Sequence, residues 1–204
     1  MTKILLKAKH WQLFLLMIGI PLLSQIYMYS RIWMIESTSS TVESKEGFTQ
    51  VLNEKFIQFD WYPFIFLLFS LLFFGWLWSL AIGLQKWGPA DIHMKTSTFK
   101  VFFFIPLIYI LLIISSMSGV FSGNGFLLNP RTIIAVIVPL HLFSMFCIFH
   151  SIYFAAKTLK IAELKRKIVF GDFIGEFFLL WFYFIGIWII QPKVNKFVTD
   201  EKHF

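Results

Sequence analysis

The sequence predicts an all-α, polytopic helical membrane protein with about five transmembrane helices in a single domain, residues 1–204. Hydrophobic residues make up 58% of the chain and charged residues only 14%, and the mean hydropathy is +0.74. This is too little polar surface to cover a water-soluble globule of this length. Apolar runs of membrane-spanning length recur along the chain, and basic residues flank them in short clusters.

The positions of the charges argue against a nucleic-acid-binding protein, and the cysteine content excludes a protein with intrachain disulfides. A net charge of +7 could indicate nucleic-acid binding, but the cations lie beside apolar runs, where anionic lipid headgroups are the expected partners. We therefore predict the lipid bilayer, and no nucleic acid, as a partner. Cys147 is the single cysteine, so no intrachain disulfide can form. The composition favours a bacterial inner membrane.

The first predicted span covers residues 12–30, and three lysines precede it. Its 19 residues, at about 1.5 Å each, cover the roughly 30 Å hydrocarbon core of a bilayer. No small-residue cleavage pattern follows the apolar run, so we predict an uncleaved span with a cytoplasmic N-terminus. Pro21 should kink this helix.

A polar segment, residues 31–60, follows the first span. It carries five acids against three bases, which suits the outer face. Apolar residues recur at helical spacing between Phe48 and Phe59, which predicts a short amphipathic helix on the outer leaflet in this first outer loop. A helix packed over the loops of its own bundle remains the alternative.

The next three predicted spans cover residues 61–84, 101–120 and 133–156. In the first of them Ser79 and Gly83 form a small-xxx-small pair, which lets a neighbouring helix approach closely. The third carries a stripe of small residues on one arc of the helix, which predicts a helix-packing seam. The stripe consists of Ser144, Cys147, Ser151 and Ala155.

His141 is the strongest candidate for chemistry, because it lies near the middle of its span, where an ionisable group is costly. With Ser144 and Glu176 it forms the candidate ligand or proton path. The structural alternative is a neutral histidine that hydrogen-bonds to a Ser or Tyr hydroxyl. His150 lies nine residues further on, on the opposite side of the helix, so the two histidines cannot share a metal. We predict neither a metal nor a cofactor.

The last predicted span covers residues 173–191. Asp172 and Glu176, four residues apart, share one face at the start of this span, where acids complement the helix dipole, and Glu176 can reach water or pair with Arg166 or Lys167. The alternative is an acid pair on an ion path. A single span leaves the tail outside, with eleven Lys/Arg on inner segments and seven on outer ones. The rival is a re-entrant segment that keeps the tail inside. We prefer the single span, because 19 residues cannot cross the core and return.

A basic elbow precedes this last span. We expect the preceding α-helix to continue through Val169. Its basic side should form a cytoplasmic face that docks on anionic lipid headgroups or an acidic partner. The alternative is that these charges only set the topology during insertion. The docking face consists of Lys160, Lys165, Arg166 and Lys167.

The run 170–195, FGDFIGEFFLLWFYFIGIWIIQPKVN, resembles the C-terminal segment of small multi-pass membrane proteins of Bacteroidota-type bacteria. That group has no assigned activity. The resemblance therefore implies a bacterial setting and carries no catalytic residue over to this chain.

The sequence contains no catalytic signature, phosphate-binding loop or nucleophile elbow. We therefore expect a non-enzymatic membrane protein, a scaffold or an accessory subunit of a transport or secretion assembly, with a protein partner or a second copy. The alternatives are a small transporter or channel, which needs a polar path, and an intramembrane enzyme, which needs convergent titratable groups.

Overall fold

The computed structural model describes residues 2–39, 62–89, 91–92, 94–117 and 133–200. Over these ranges the chain is helical and contains no strand. The predicted amphipathic helix between Phe48 and Phe59 lies outside the described residues. In chain order the described helices are α1 (Thr2–Lys7), α2 (10–39), α3 (62–87), α4 (Thr96–Met117), α5 (133–164), α6 (Phe170–Trp181) and α7 (Tyr183–Asp200).

Four of the described helices are long and apolar enough to cross a membrane, which confirms the helical class and is compatible with an integral membrane protein. They also expose large apolar side chains such as Leu23, Val101 and Leu142, as lipid-facing helices do. These helices correspond to the first four predicted spans, at His10–Ser30, Pro63–Trp87, Thr96–Ser115 and Ile134–Leu164.

The helix α2 is interrupted where the sequence predicts a kink. Its residues Leu15–Gly19 form a π-helical turn, in which the N–H of Ile20 bonds to the carbonyl of Leu15. Pro21 follows directly, and its ring lacks an N–H and crowds the carbonyl four residues back. A widened turn before the proline relieves that crowding.

The lysine-rich ends of the four long helices lie together, and we call this the basic end. It comprises the starts of α2 and α4 and the ends of α3 and α5. The short helix α1 packs back into the bundle from this end, against the π-helical turn Ser79–Gly83 of α3. A Cβ atom at Gly83 would lie 2.8 Å from Leu6 Cδ1, so the predicted small-residue pair does admit a neighbouring helix.

The predicted fifth span, residues 173–191, is instead a helical hairpin. Helix α6 ends at Trp181, and Phe182 has a non-helical backbone (φ −87°, ψ 59°). Helix α7 then runs back alongside α6, so that Lys193 Nζ lies 3.2 Å from Glu176 Oε1. In one continuous helix these residues would be roughly 25 Å apart. The expectation of a single helix through this segment is therefore wrong.

Two physical features permit this hairpin. An ideal Cβ atom at Gly186 would lie 1.8 Å from the carbonyl oxygen of Leu179, so only glycine lets the two arms approach this closely. One side of the apex packs on the bundle, because Tyr183 contacts Phe73 of α3 and Trp181 contacts Phe149 of α5, while Phe182 and Phe184 stay exposed. Helix α6 is about 18 Å long, which is shorter than the roughly 30 Å hydrocarbon core of a bilayer.

The predicted packing seam of α5 is confirmed. All four small residues are buried, with Cys147, Ser151 and Ala155 at 0% exposure. The Ser151 hydroxyl is also satisfied, because it donates to the Cys147 carbonyl at 2.9 Å. The seam therefore buries no unpaired hydroxyl at this position.

Candidate functional site: the polar cluster at the basic end

Four charged side chains from three helices meet at the basic end. Lys160 Nζ of α5 lies 2.9 Å from Glu163 and 3.0 Å from Glu176 of α6. Lys193 Nζ of α7 lies 3.2 Å from Glu176 and 3.4 Å from Glu163. The charges alternate around a closed ring, and we call these four residues the ion cluster.

The ion cluster changes the interpretation of Lys160. Its side chain is only 17% exposed and both of its carboxylate partners are in this chain, so Lys160 does not belong to a docking face. The partners of Glu176 also differ from the prediction, since Lys160 and Lys193 contact its carboxylate where Arg166 or Lys167 was expected. The predicted structural role of Glu176 stands, because its contacts tie the hairpin to α5.

The basic elbow is a turn. Helix α5 ends at Leu164, and Lys165 adopts the left-handed conformation (φ 49°, ψ 36°) that commonly terminates helices. The expectation of a helix through Val169 is therefore wrong. A run of three cations suits this position, because positive charge is favourable at a helix C-terminus.

Asp172 closes the elbow onto the start of α6. Its carboxylate accepts a hydrogen bond from the Val169 N–H at 2.9 Å and lies 3.1 Å from Arg166 Nη2. The bond from Val169, together with the Arg166 charge, holds the pKa of Asp172 below its ordinary value of 3.8. Arg166 is thus engaged within the chain, but with Asp172 and not with Glu176.

Lys165 and Lys167 are the remaining cations of the predicted docking face. Both are exposed, and neither has an acidic partner among the described residues. They flank Arg166 on the outside of the turn. Of the four predicted docking residues, these two keep the surface charge that the prediction requires.

Gln191 joins both ends of the chain to the bundle core. Its side-chain nitrogen donates to the carbonyls of Leu5 at 3.0 Å and Ala8 at 2.8 Å, at the otherwise open C-terminal end of α1. Its side-chain oxygen accepts a hydrogen bond from the indole N–H of Trp76 at 2.8 Å. Gln191 is fully buried, so these bonds satisfy polar groups that water does not reach.

The candidate path of His141, Ser144 and Glu176 is not brought together. His141 is exposed, and its Nδ1 lies 3.0 Å from the Tyr109 hydroxyl of α4, as in the structural alternative. Ser144 is buried in the seam. Glu176 contacts Lys160, which lies about 28 Å along α5 from His141. The three residues therefore belong to three separate environments.

Two cavities in the described part of the chain are bordered mainly by apolar residues. One, of about 310 Å³, lies between α2 and α3 above the hairpin apex and is lined by Gln25, Phe66, Phe69 and Tyr183 among others. The other, of about 260 Å³, lies between α3 and α4. Neither is lined by His141, Ser144 or Glu176.

Sequence reasoning missed Glu163, Lys193 and Gln191. The contacts of Glu163 and Lys193 that close the ion cluster join different helices, and the Trp76 and Leu5 partners of Gln191 are more than 100 residues away along the chain. One sequence signal bears on Lys193. The tail lysines reduce the Lys/Arg asymmetry that a five-span chain would have between its two sides, whereas a hairpin that returns the tail to the basic end would restore it.

The described residues contain no group of three or more His, Cys, Asp or Glu side chains placed to hold a metal ion. Comparison with protein-family models, with curated proteins and with solved structures finds no match.

Proposed function

We propose that this protein is a non-enzymatic integral membrane protein that serves as a scaffold or accessory subunit of a transport or secretion assembly. The observation that carries the proposal is the structural use of its buried polar groups, above all Glu176 and Gln191. The ion cluster and Gln191 hold the hairpin and α1 to the bundle, so these groups serve to fix a shape. A rigid bundle that presents the exposed charges of Lys165 and Lys167 on one turn is a suitable docking surface for a partner protein.

The proposed topology has four spans, a re-entrant hairpin and a cytoplasmic basic end, in a bacterial inner membrane. Of the 18 Lys and Arg residues, only Arg31, Lys45, Lys55 and Arg131 then lie outside, which leaves fourteen inside. The five-span alternative leaves eleven inside and seven outside. The stronger asymmetry favours the hairpin topology, with both ends of the chain in the cytoplasm.

Lys165 and Lys167 are the proposed docking residues, and an acidic protein surface is the proposed partner. The test is affinity purification from native membranes of the double variant Lys165→Glu/Lys167→Glu. Arg166 is left unchanged, because its reversal would break its pair with Asp172. Lys95→Glu/Lys100→Glu is the matched control, since both lysines are exposed at the same end of the bundle.

We expect a stoichiometric partner that copurifies with the wild type and the control and is lost from the Lys165/Lys167 variant. If the Lys165/Lys167 variant binds anionic vesicles less well but keeps every copurifying protein, lipid headgroups would be the docking surface instead. A purified protein without a partner that moves solute across a proteoliposome membrane would contradict the scaffold proposal in favour of a transporter.

A further inference from the structure

The cavity between α2 and α3 combines an apolar lining with three polar side chains, those of Ser24, Gln25 and Tyr183. It is walled by one face of α2 and by the first turns of α3, and Tyr183 at the hairpin apex closes one end. The cavity lies in the half of the bundle away from the basic end, because Ile65 and Phe69 are near the start of α3. Its volume of about 310 Å³ is at the lower limit of small-molecule pockets.

Gln25 and Tyr183 both line this cavity, and neither side chain has a hydrogen-bond partner among the described residues. Ser24 of the lining differs, because its hydroxyl donates to the Pro21 carbonyl at 2.7 Å. Gln25 and Tyr183 are only partly buried, so their polar atoms remain accessible from the cavity. The amide N–H groups and the phenol O–H are therefore available to donate to an acceptor oxygen of a ligand.

We propose that this cavity binds the carbonyl end of a membrane amphiphile, with its apolar chain between α2 and α3. The shared chemistry is an acceptor carbonyl joined to a long hydrocarbon chain, as in a glycerolipid ester or an isoprenoid quinone. Gln25 and Tyr183 donate to the carbonyl, and Phe66 and Phe69 contact the apolar part. This site is independent of the docking residues Lys165 and Lys167.

The test compares three probes on the delipidated, detergent-solubilised full chain by native mass spectrometry. The probes are a diester phosphatidylglycerol, its diether analogue with the same chains, and decylubiquinone. The cavity variant is Gln25→Leu/Tyr183→Phe. The control is Gln85→Leu/Tyr153→Phe, which makes the same chemical changes at positions that do not line the cavity.

We expect at least one carbonyl probe to bind, and the cavity variant to weaken it about tenfold or more, because two hydrogen bonds are lost. The control should bind like the wild type, and which carbonyl probe binds identifies the source. The unliganded cavity variant should unfold at the same temperature as the wild type or higher, since it loses only unpaired groups.

Equal binding of the diester and diether lipids, without binding of decylubiquinone, would overturn the proposal, because it would show that only the chain is recognised. Binding of a carbonyl probe that the cavity variant leaves unchanged would place the site elsewhere and overturn it as well. So would failure of both carbonyl probes to bind.

Discussion

Replacing Gly186 with alanine tests the hairpin at its tightest contact. An ideal Cβ atom at this position lies 1.8 Å from the Leu179 carbonyl oxygen, whereas an ordinary carbon–oxygen contact is roughly 3.3 Å. The two arms would have to separate by about 1.5 Å, and no rotamer change can relieve a clash between backbones. Overpacking of this kind costs about 3 kcal/mol.

Gly175→Ala is the matched control in the same hairpin. A Cβ atom at Gly175 meets nothing within 4 Å, so the substitution gains helix propensity and stabilises by about 0.5 to 1 kcal/mol. The assay is reversible unfolding in mixed micelles by titration with sodium dodecyl sulfate, followed by circular dichroism. Equal, stabilising effects at both glycines would show that residues 179 and 186 do not meet, and would refute the hairpin.

Three further predictions concern the polar contacts of the hairpin. Glu176→Gln and Lys193→Met should each destabilise by about 1 to 2 kcal/mol and couple in a double-mutant cycle; additive effects would contradict their contact. Gln191→Leu should lower the free energy of unfolding by about 2 kcal/mol and speed hydrogen exchange over residues 5–9. Unchanged exchange there would count against the role of Gln191 in holding α1 to the bundle. Because the folded-state pKa of Asp172 is lowered, its carboxylate stabilises the fold above about pH 4, and this contribution is lost as the pH falls below that value. The difference in melting temperature between the wild type and Asp172→Asn should therefore narrow on acidification. A difference that stays constant with pH would refute this.

The sequence predicted the features that depend on local pattern. Span-length apolar runs identify the four long helices, and the proline in α2 marks its irregular turn. The small residues of α5 and the glycine of α3 correctly indicate close packing. Each of these follows from helical periodicity or from the size of one side chain, so no tertiary information is needed.

The hairpin was not predictable from local pattern, because a 19-residue apolar run fits a single span and a helical hairpin equally well. Gly186 indicates a hairpin only once the carbonyl of Leu179 is known to face it. Lys160 was mistaken for a surface cation for a similar reason, since Glu176 lies 16 residues later on another helix. Global charge asymmetry was the one sequence-level quantity that separated the two topologies.

The sidedness of Thr199 relative to Lys165 tests the central claim most directly. Both residues are exposed, so each can be replaced by a single cysteine in a Cys147→Ser background. A cysteine at Glu43, across the first span, serves as the reference for the opposite side. In sealed vesicles a membrane-impermeant maleimide should label Thr199→Cys and Lys165→Cys from the same side and Glu43→Cys from the other. Labelling of Thr199→Cys together with Glu43→Cys would contradict the hairpin and restore a fifth span.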